Sequence, residues 1–275
     1  MEQAQRTRNT GRGPDPVPLL GRPLGARSVM ASLLLGMDPP RMRGALLVRW
    51  CGLFEISEGT ARVALSRMVA NGEVTVVDGV YGLAGGLRGR RRQQEWSLAP
   101  RMRSWRGAWR TAVIDPTART AAERQALRDA MRHLRFAEVR EGTWARPDNL
   151  PEDASPPEAR ATADAQCAWW TARPDDDPGA LADRLFAPTA WSARAARLTA
   201  QLREVTAGLV GDERSLEADA FLVGAAALVQ VRADPLLPEV LLPPQWAGDE
   251  LRDAYTRYRS AFGDATAAWF RRNRY

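Results

Sequence analysis

Between residues 57 and 83 the spacing of apolar side chains changes period, and this change constrains the fold more than any other feature of the chain. In SEGTARVALSRMVA, Ala61, Leu65 and Met68 recur at i, i+4 and i+7, which makes one buried face of an α-helix. Ser57 is a good N-cap for that helix, and Asn71 with Gly72 marks its end. From Val74 the alternation drops to two. Residues 74–77, then Asp78-Gly79, then residues 80–83 read as a hairpin closed by a two-residue turn. Two shorter helical runs come first: residues 26–35, stopped by Gly36, Pro39 and Pro40, and residues 43–51, stopped by Gly52.

Three short helices followed by a small hairpin is the pattern of a winged helix-turn-helix, in which the third helix projects into a DNA major groove about 12 Å wide. On that helix Arg62 and Ser66 lie four apart, away from the buried stripe, with Thr60, Val63 and Arg67 beside them. Thr60, Arg62, Ser66 and Arg67 are the candidate base readers, because a guanidinium forks onto guanine and a hydroxyl reaches either kind of base pair. Arg41, Arg43 and Arg49, near the second helix, suit phosphate contacts that fix register. Arg90 and Arg91, in the run RGRRRQQ directly after the hairpin, are further phosphate candidates.

Charge supports this placement. All 39 basic residues are arginine, each a permanent planar cation. Residues 1–110 hold 18 of them against 8 acidic residues, a balance of +10, while residues 111–275 hold 21 against 25, a balance of −4. The basic third is the natural face for a polyanion.

Other classes are excluded or disfavoured. The longest apolar stretch, residues 221–231, is about half of the roughly 20 residues a bilayer requires. Residues 1–23 carry four prolines and no apolar core before a cleavage site, so they read as a disordered tail with no secretory signal, and the expected location is the cytoplasm. Cys51 and Cys167 sit in apolar runs and read as packed, reduced thiols. The single histidine, His133, has no CxxC or HExxH partner and reads as a surface residue, which argues against zinc sites and His-based triads. No metal or cofactor is expected.

Past residue 100 strands and helices interleave. Residues 109–114 form an apolar strand ending at Asp115, and residues 120–134 an amphipathic helix. Residues 136–144 look like two short strands meeting near Glu141 and Gly142, residues 151–157 a loop, and residues 167–171 a further strand. That order suggests a split βαβ, ferredoxin-like layer. Residues 189–209, 216–231 and 249–262 are helical, and the four prolines of ADPLLPEVLLPPQWAG force an extended path before the last of them. The expected α+β organisation is therefore a tail (1–23), a DNA-binding domain (24–99), a ferredoxin-like domain (100–186) and a helical C-terminal domain (187–275).

Three blocks, SEGTARVALSRMVANGEV, LRFAEVREGTWARPDNL, and ADPLLPEVLLPPQWAG with the following LRDAYTRYRSAF, in this order and spacing, resemble the phenylacetic-acid-responsive repressors of the PaaX type. The likeness covers nearly the whole chain after Gly21. It implies a winged helix, a central ferredoxin-like domain similar to the small nucleases of CRISPR adaptation, and a helical C-terminal domain. It also implies a homodimer on a partly palindromic operator, released in the best-known members by phenylacetyl-CoA. Arg62, Ser66 and Arg67 match the exposed positions of the family's recognition helix. Two positions depart from the pattern: Arg106 in WRGAW, where an acidic residue is usual, and Ala247 in WAG, where proline is common. An aryl-CoA effector needs flat apolar walls and cations, and Trp144, Arg146, Trp169 and Trp246 are the candidates. Two alternatives are a metal-dependent nuclease using Asp115, with magnesium held across a dimer axis, and a regulator that works through a protein partner docked on the C-terminal helices.

Overall fold

A computed structural model of the chain describes residues 24–115, 119–210 and 217–272. The tail expected over residues 1–23 lies outside them. By their contacts the described residues divide into two compact units, one within 24–82, 201–226 and 257–272 and the other within 83–200 and 227–256. The division differs from the expected domain order in two ways. The segment after residue 82 belongs with the second unit, and the C-terminal helices contribute residues to both.

In the first unit α1 (Ala26–Gly36), α2 (Gly44–Cys51) and α3 (Glu58–Ala70) pack their apolar faces together. Val29, Met30, Leu34, Leu47, Trp50, Cys51, Ala61 and Met68 are all essentially inaccessible to water. α3 ends at Asn71, and the turn that follows uses Gly72 at positive φ (67°). β2 (Val74–Val77) and β3 (Val80–Leu83) then form the hairpin. Its turn has positive φ at both Asp78 (50°) and Gly79 (72°), the backbone that lets two residues join twisted strands. A third strand escaped the sequence reading. β1 (Arg41–Arg43), whose last residue was assigned to the second helix, pairs antiparallel with β3, Arg41 opposite Gly82 and Arg43 opposite Val80, giving the order β1-β3-β2.

The C-terminal part of the first unit supplies an aromatic lock. Trp50 meets the rings of Phe262 and Trp269 edge-on at 6.0 and 5.1 Å and Phe270 at 5.7 Å, while Phe54 meets Phe221 at 5.0 Å. Such pairs each add about 0.5–1.5 kcal/mol beyond area burial. Gly224 lies under Tyr258 so closely that a Cβ there would sit 2.2 Å from the ring, which explains a glycine inside a helix.

The second unit opens with α4 (Gly85–Leu98), so the basic run after the hairpin is helix rather than an extended trailer. A strand–helix–strand–strand–helix–strand series follows: β4 (Trp109–Ile114), α5 (Ala121–His133), β5 (Ala137–Arg140), β6 (Thr143–Pro147), α6 (Pro157–Asp164) and β7 (Cys167–Ala172). The sheet is antiparallel with order β5-β6-β4-β7. One of its faces buries Ala112, Trp144 and Cys167 against Leu127, Met131 and Ala163 of the two helices. The other buries Trp109 and Ala145 against Leu181 and Ala182 of α7 (Pro178–Phe186) and against Leu237 and Leu241. α8 (Pro188–Val210), α9 (Glu217–Arg232) and α10 (Gly248–Arg272) complete the chain. Among the described residues no helix is long and apolar enough to cross a membrane.

Both cysteines are free and buried, and burial pushes each thiol from 9.0 up to about 11. Because the folded state holds these protons more tightly than the unfolded chain, their contribution to stability is complete below pH 9 and is lost as pH rises toward about 11. We expect both thiols to be silent to a thiol reagent at pH 8 and both to react once the protein is unfolded in denaturant. The urea midpoint should fall between pH 9 and 11, less so in a variant carrying Cys51→Ala and Cys167→Ala.

Candidate nucleic-acid interface

α3 is seated by its stripe of Ala61, Leu65 and Met68, which are 0%, 5% and 1% exposed. That seating turns Thr60, Arg62, Val63, Ser66 and Arg67 to solvent together. Ser57 caps the helix by accepting from the Thr60 amide at 3.3 Å, and its hydroxyl lies 2.8 Å from that of Thr60. Arg62 is 71% exposed and paired with Glu58 one turn earlier. A surface pair at this spacing is worth only about 0.3–0.5 kcal/mol, so freeing the guanidinium for another acceptor costs little. Val63, 52% exposed in the same row, offers an apolar surface suited to a thymine methyl.

Arg41 and Arg43 flank buried Met42 on β1, so both project from one side of the strand, and Arg49 is exposed on α2. The hairpin tip carries no cation: residues 75–79 are Thr, Val, Val, Asp and Gly, with Val77 70% exposed. Within the segment from α1 to the hairpin the cations therefore come from β1, α2 and α3, apart from Arg27 of α1, which pairs with Glu73 at 2.8 Å.

Arg90 and Arg91, expected at DNA phosphates beside the hairpin, belong to α4 of the second unit. Arg91 pairs with Glu95 at 2.9 Å. Arg90 lines a cavity of about 1140 Å³ bounded by α4, α5, residues 152–156, α6 and Arg232 at the end of α9. Exposed His133 stands among the lining residues. The sequence reading did not gather this cavity. The available signal was Gly85-Gly86 between a strand and an arginine run; both are exposed, and at Gly86 nothing lies within 4 Å of where a Cβ would be.

The four candidate effector residues are not brought into one pocket. Trp144 is core, 7% exposed against Leu127 and Met131. Trp246 stacks on Trp191 at 4.5 Å and is backed by Gly248. Trp169 lies between Arg160 (4.6 Å) and Arg110 (5.3 Å) and donates its indole N–H to Asp164 at 2.7 Å. With Arg146 it borders a cavity of about 160 Å³, small for an aryl thioester. Arg146 itself is 3% exposed. Its Nε donates to the Pro147 carbonyl at 3.0 Å and its Nη2 to Asn149 Oδ1 at 2.8 Å, so its donors hold the chain together and are not open to an anion. Period-two alternation along β6 explains the correction: Arg146 points the same way as core residue Trp144.

The sequence comparisons match three successive parts of the chain. A family model for the PaaX-like protein matches residues 25–85, one for the PaaX protein central Cas2-like domain residues 102–180, and one for the PaaX-like protein C-terminal domain residues 186–272. The chain belongs to the PaaX-like family. A solved structure, of an uncharacterized protein Rv0674 from Mycobacterium tuberculosis, is 35% identical to this PaaX-like chain, covers 89% of it and 98% of its own length, and superposes with a TM-score of 0.66. No curated protein matches it.

In this PaaX-like protein Asp115 directly follows β4 of the Cas2-like central domain; it is exposed, and its amide donates to the Gln166 carbonyl at 3.0 Å. Among the described residues no three His, Cys, Asp or Glu side chains gather as a metal site.

The second unit is instead knotted by buried arginines around the proline-rich segment. Asp234, 1% exposed, pairs with Arg252 and accepts from the Leu236 amide at 2.7 Å. Arg135 donates to the Asp234 carbonyl at 2.7 Å and to Ser97 Oγ at 3.1 Å, and Asn149 donates to the Leu236 carbonyl at 2.9 Å. Burial, with repulsion from neighbouring arginines, lowers the guanidinium of Arg135 to about 10 and that of Arg146 to about 9. One buried carboxylate thus serves several buried cations. Asp234→Ala should destabilise the protein by about 3–5 kcal/mol, the usual cost of leaving a buried charge unpaired. Urea unfolding followed by tryptophan fluorescence measures it.

Proposed function

We propose that this protein is a DNA-binding transcriptional regulator, most simply a ligand-released repressor in the cytoplasm, with a winged helix-turn-helix in the first unit and a ferredoxin-like layer in the second. The observation that carries the reading is the exposed row Thr60, Arg62, Ser66 and Arg67 on a helix seated by a three-residue apolar stripe, with the exposed cations of β1 in the same unit. Arg62 and the two hydroxyls read base edges, and Arg41, Arg43 and Arg49 hold phosphates.

The reading includes a homodimer that places two such helices in successive major grooves about 34 Å apart on a partly palindromic operator. A bare region of the sheet favours a second copy as partner: on the face that buries Trp109, Val113 and Trp170 remain 38% and 62% exposed. An effector of the acyl-CoA class would shift the protein toward a form whose helix spacing no longer fits. A tenfold difference in affinity between the two forms moves the balance by about 1.4 kcal/mol.

Binding of operator and scrambled duplexes by arginine variants tests this. Arg62→Ala should cost about 1–3 kcal/mol on the operator and little on scrambled DNA. Arg41→Ala should weaken both alike and reduce the slope of log K against log salt by about 1. Equal losses on both duplexes for Arg62→Ala would move that residue to the phosphate contacts and remove its role in reading sequence.

A further inference from the structure

The outward crest of α3 is built from short, uncharged residues. At about 100° per residue, Val63 falls almost diametrically opposite the mean direction of Ala61, Leu65 and Met68, the stripe that seats the helix. Gly59 lies one turn before Val63, and Ser66 and Ala70 lie one and two turns after it, so these residues share one line along the helix, and all of them are exposed. Arg62 and Arg67 flank the line on opposite sides. Charged residues make up 26% of the chain, yet the positions of this helix that face water most squarely carry no charge.

Two of the crest residues are not explained by the fold itself. Val63 is 52% exposed, and an apolar, β-branched side chain is favoured neither by an exposed position nor by helix propensity. Gly59 is the second residue of the helix, has no positive φ, and an added Cβ there would meet nothing within 4 Å. Neither backbone conformation nor packing among the described residues therefore requires glycine, which is a poor helix former. Both choices are accounted for by something that comes to the crest from outside. Gly59 lets the helix backbone approach it closely, and Val63 presents two methyl groups to it.

In the major groove the apolar group on a base edge is the C5 methyl of thymine. A helix that reaches the floor of the groove with a valine at its centre meets that methyl, while arginines on its flanks reach past it to guanine or phosphate. We infer that Val63 selects thymine through its C5 methyl, with Gly59 supplying the room for α3 to come down to the base. This rests on the regulator reading above and adds to it the chemical group that the middle of the helix recognises. Covering one methyl group corresponds to about a three- to fivefold change in affinity.

Replacing thymine by uracil and by 5-bromouracil tests the assignment. Uracil differs from thymine only by the missing methyl, and bromine restores a group of nearly the same size. Each thymine of a duplex recovered from a random pool is replaced in turn, and the dissociation constant of the full-length protein is measured. At a thymine of the recognised sequence, uracil should weaken binding about three- to fivefold, and 5-bromouracil should restore it. Val63→Ala should bind the thymine and uracil duplexes alike at that position, with an unchanged slope of log K against log salt because no phosphate contact is lost. Gly59→Leu, whose side chain enters open space on the crest, should weaken binding of the same duplex by about tenfold or more, as overfilling a closely fitted contact does. Both free variants should melt within a few degrees of the unaltered protein, which separates a lost contact from a lost fold.

A duplex in which no thymine responds, a Val63→Ala variant that keeps the same response, or a Gly59→Leu variant that binds as tightly as the unaltered protein would overturn the assignment. Sequence preference without a methyl response refutes this inference alone. Absence of any sequence preference refutes the regulator reading and this inference with it.

Discussion

Everything proposed for the first unit depends on how α3 is seated. Ala61, Leu65 and Met68 occupy one narrow stripe, and a helix held along so narrow a line leaves most of its circumference in water. The exposed remainder is therefore set by the sequence of the helix and not by a neighbouring element. Among the described residues the ion pair of Arg62 is with Glu58 on its own helix, a weak and salt-sensitive contact. A rigid rod with a loosely held guanidinium and two hydroxyls is what a groove reader requires: position fixed by the core, side chains free to choose an acceptor. The aromatic lock around Trp50 stiffens the same body from behind.

The second unit uses a different principle. Its proline-rich segment cannot make a regular ladder of backbone hydrogen bonds, so its carbonyls are satisfied by side chains brought from elsewhere. Arg135 and Asn149 donate to the segment's carbonyls at residues 234 and 236, and Arg135 and Arg146 also hold the carbonyls of residues 134, 147 and 232 around it, with Asp234 as the buried counter-charge. Guanidinium suits this task because its planar fork reaches two or three carbonyls at once and is more weakly hydrated than an ammonium. The exclusive use of arginine in this chain is thus structural as well as electrostatic.

How much of this was legible in the sequence depended on whether a local signal existed. α3 and the hairpin were, because Ser57, the apolar spacing and Asp78-Gly79 are each local and mutually consistent. β4, α5 and β7 were legible for the same reason, and Thr120 with Glu123 forms a capping box at the start of α5. α4 was not. Its buried positions are Leu87, Gln94 and Ser97, so only one aliphatic residue marks its inner face, and three glycines weaken the helical pattern. α6 was missed because it buries only Ala159 and Ala163. β1 is three residues long and exists only through β3, nearly forty positions later. In the candidate site, the exposed row of α3 was readable from its own period, whereas the grouping of Arg90, Arg92 and Arg232 around one cavity arises from tertiary packing. Arg146 looked like an anion partner until alternation along β6 put it beside Trp144 inside the fold.

The central claim is that the outward row of α3 chooses DNA sequence. Selection of bound duplexes from a random pool, run in parallel with the protein and with a form carrying Thr60→Ala, Arg62→Ala and Ser66→Ala together, tests it most directly. The account predicts a palindromic consensus with half-sites about one helical turn apart for the protein, and loss of that consensus with retained weak, salt-sensitive DNA binding for the triple variant. The same consensus recovered from both would contradict it.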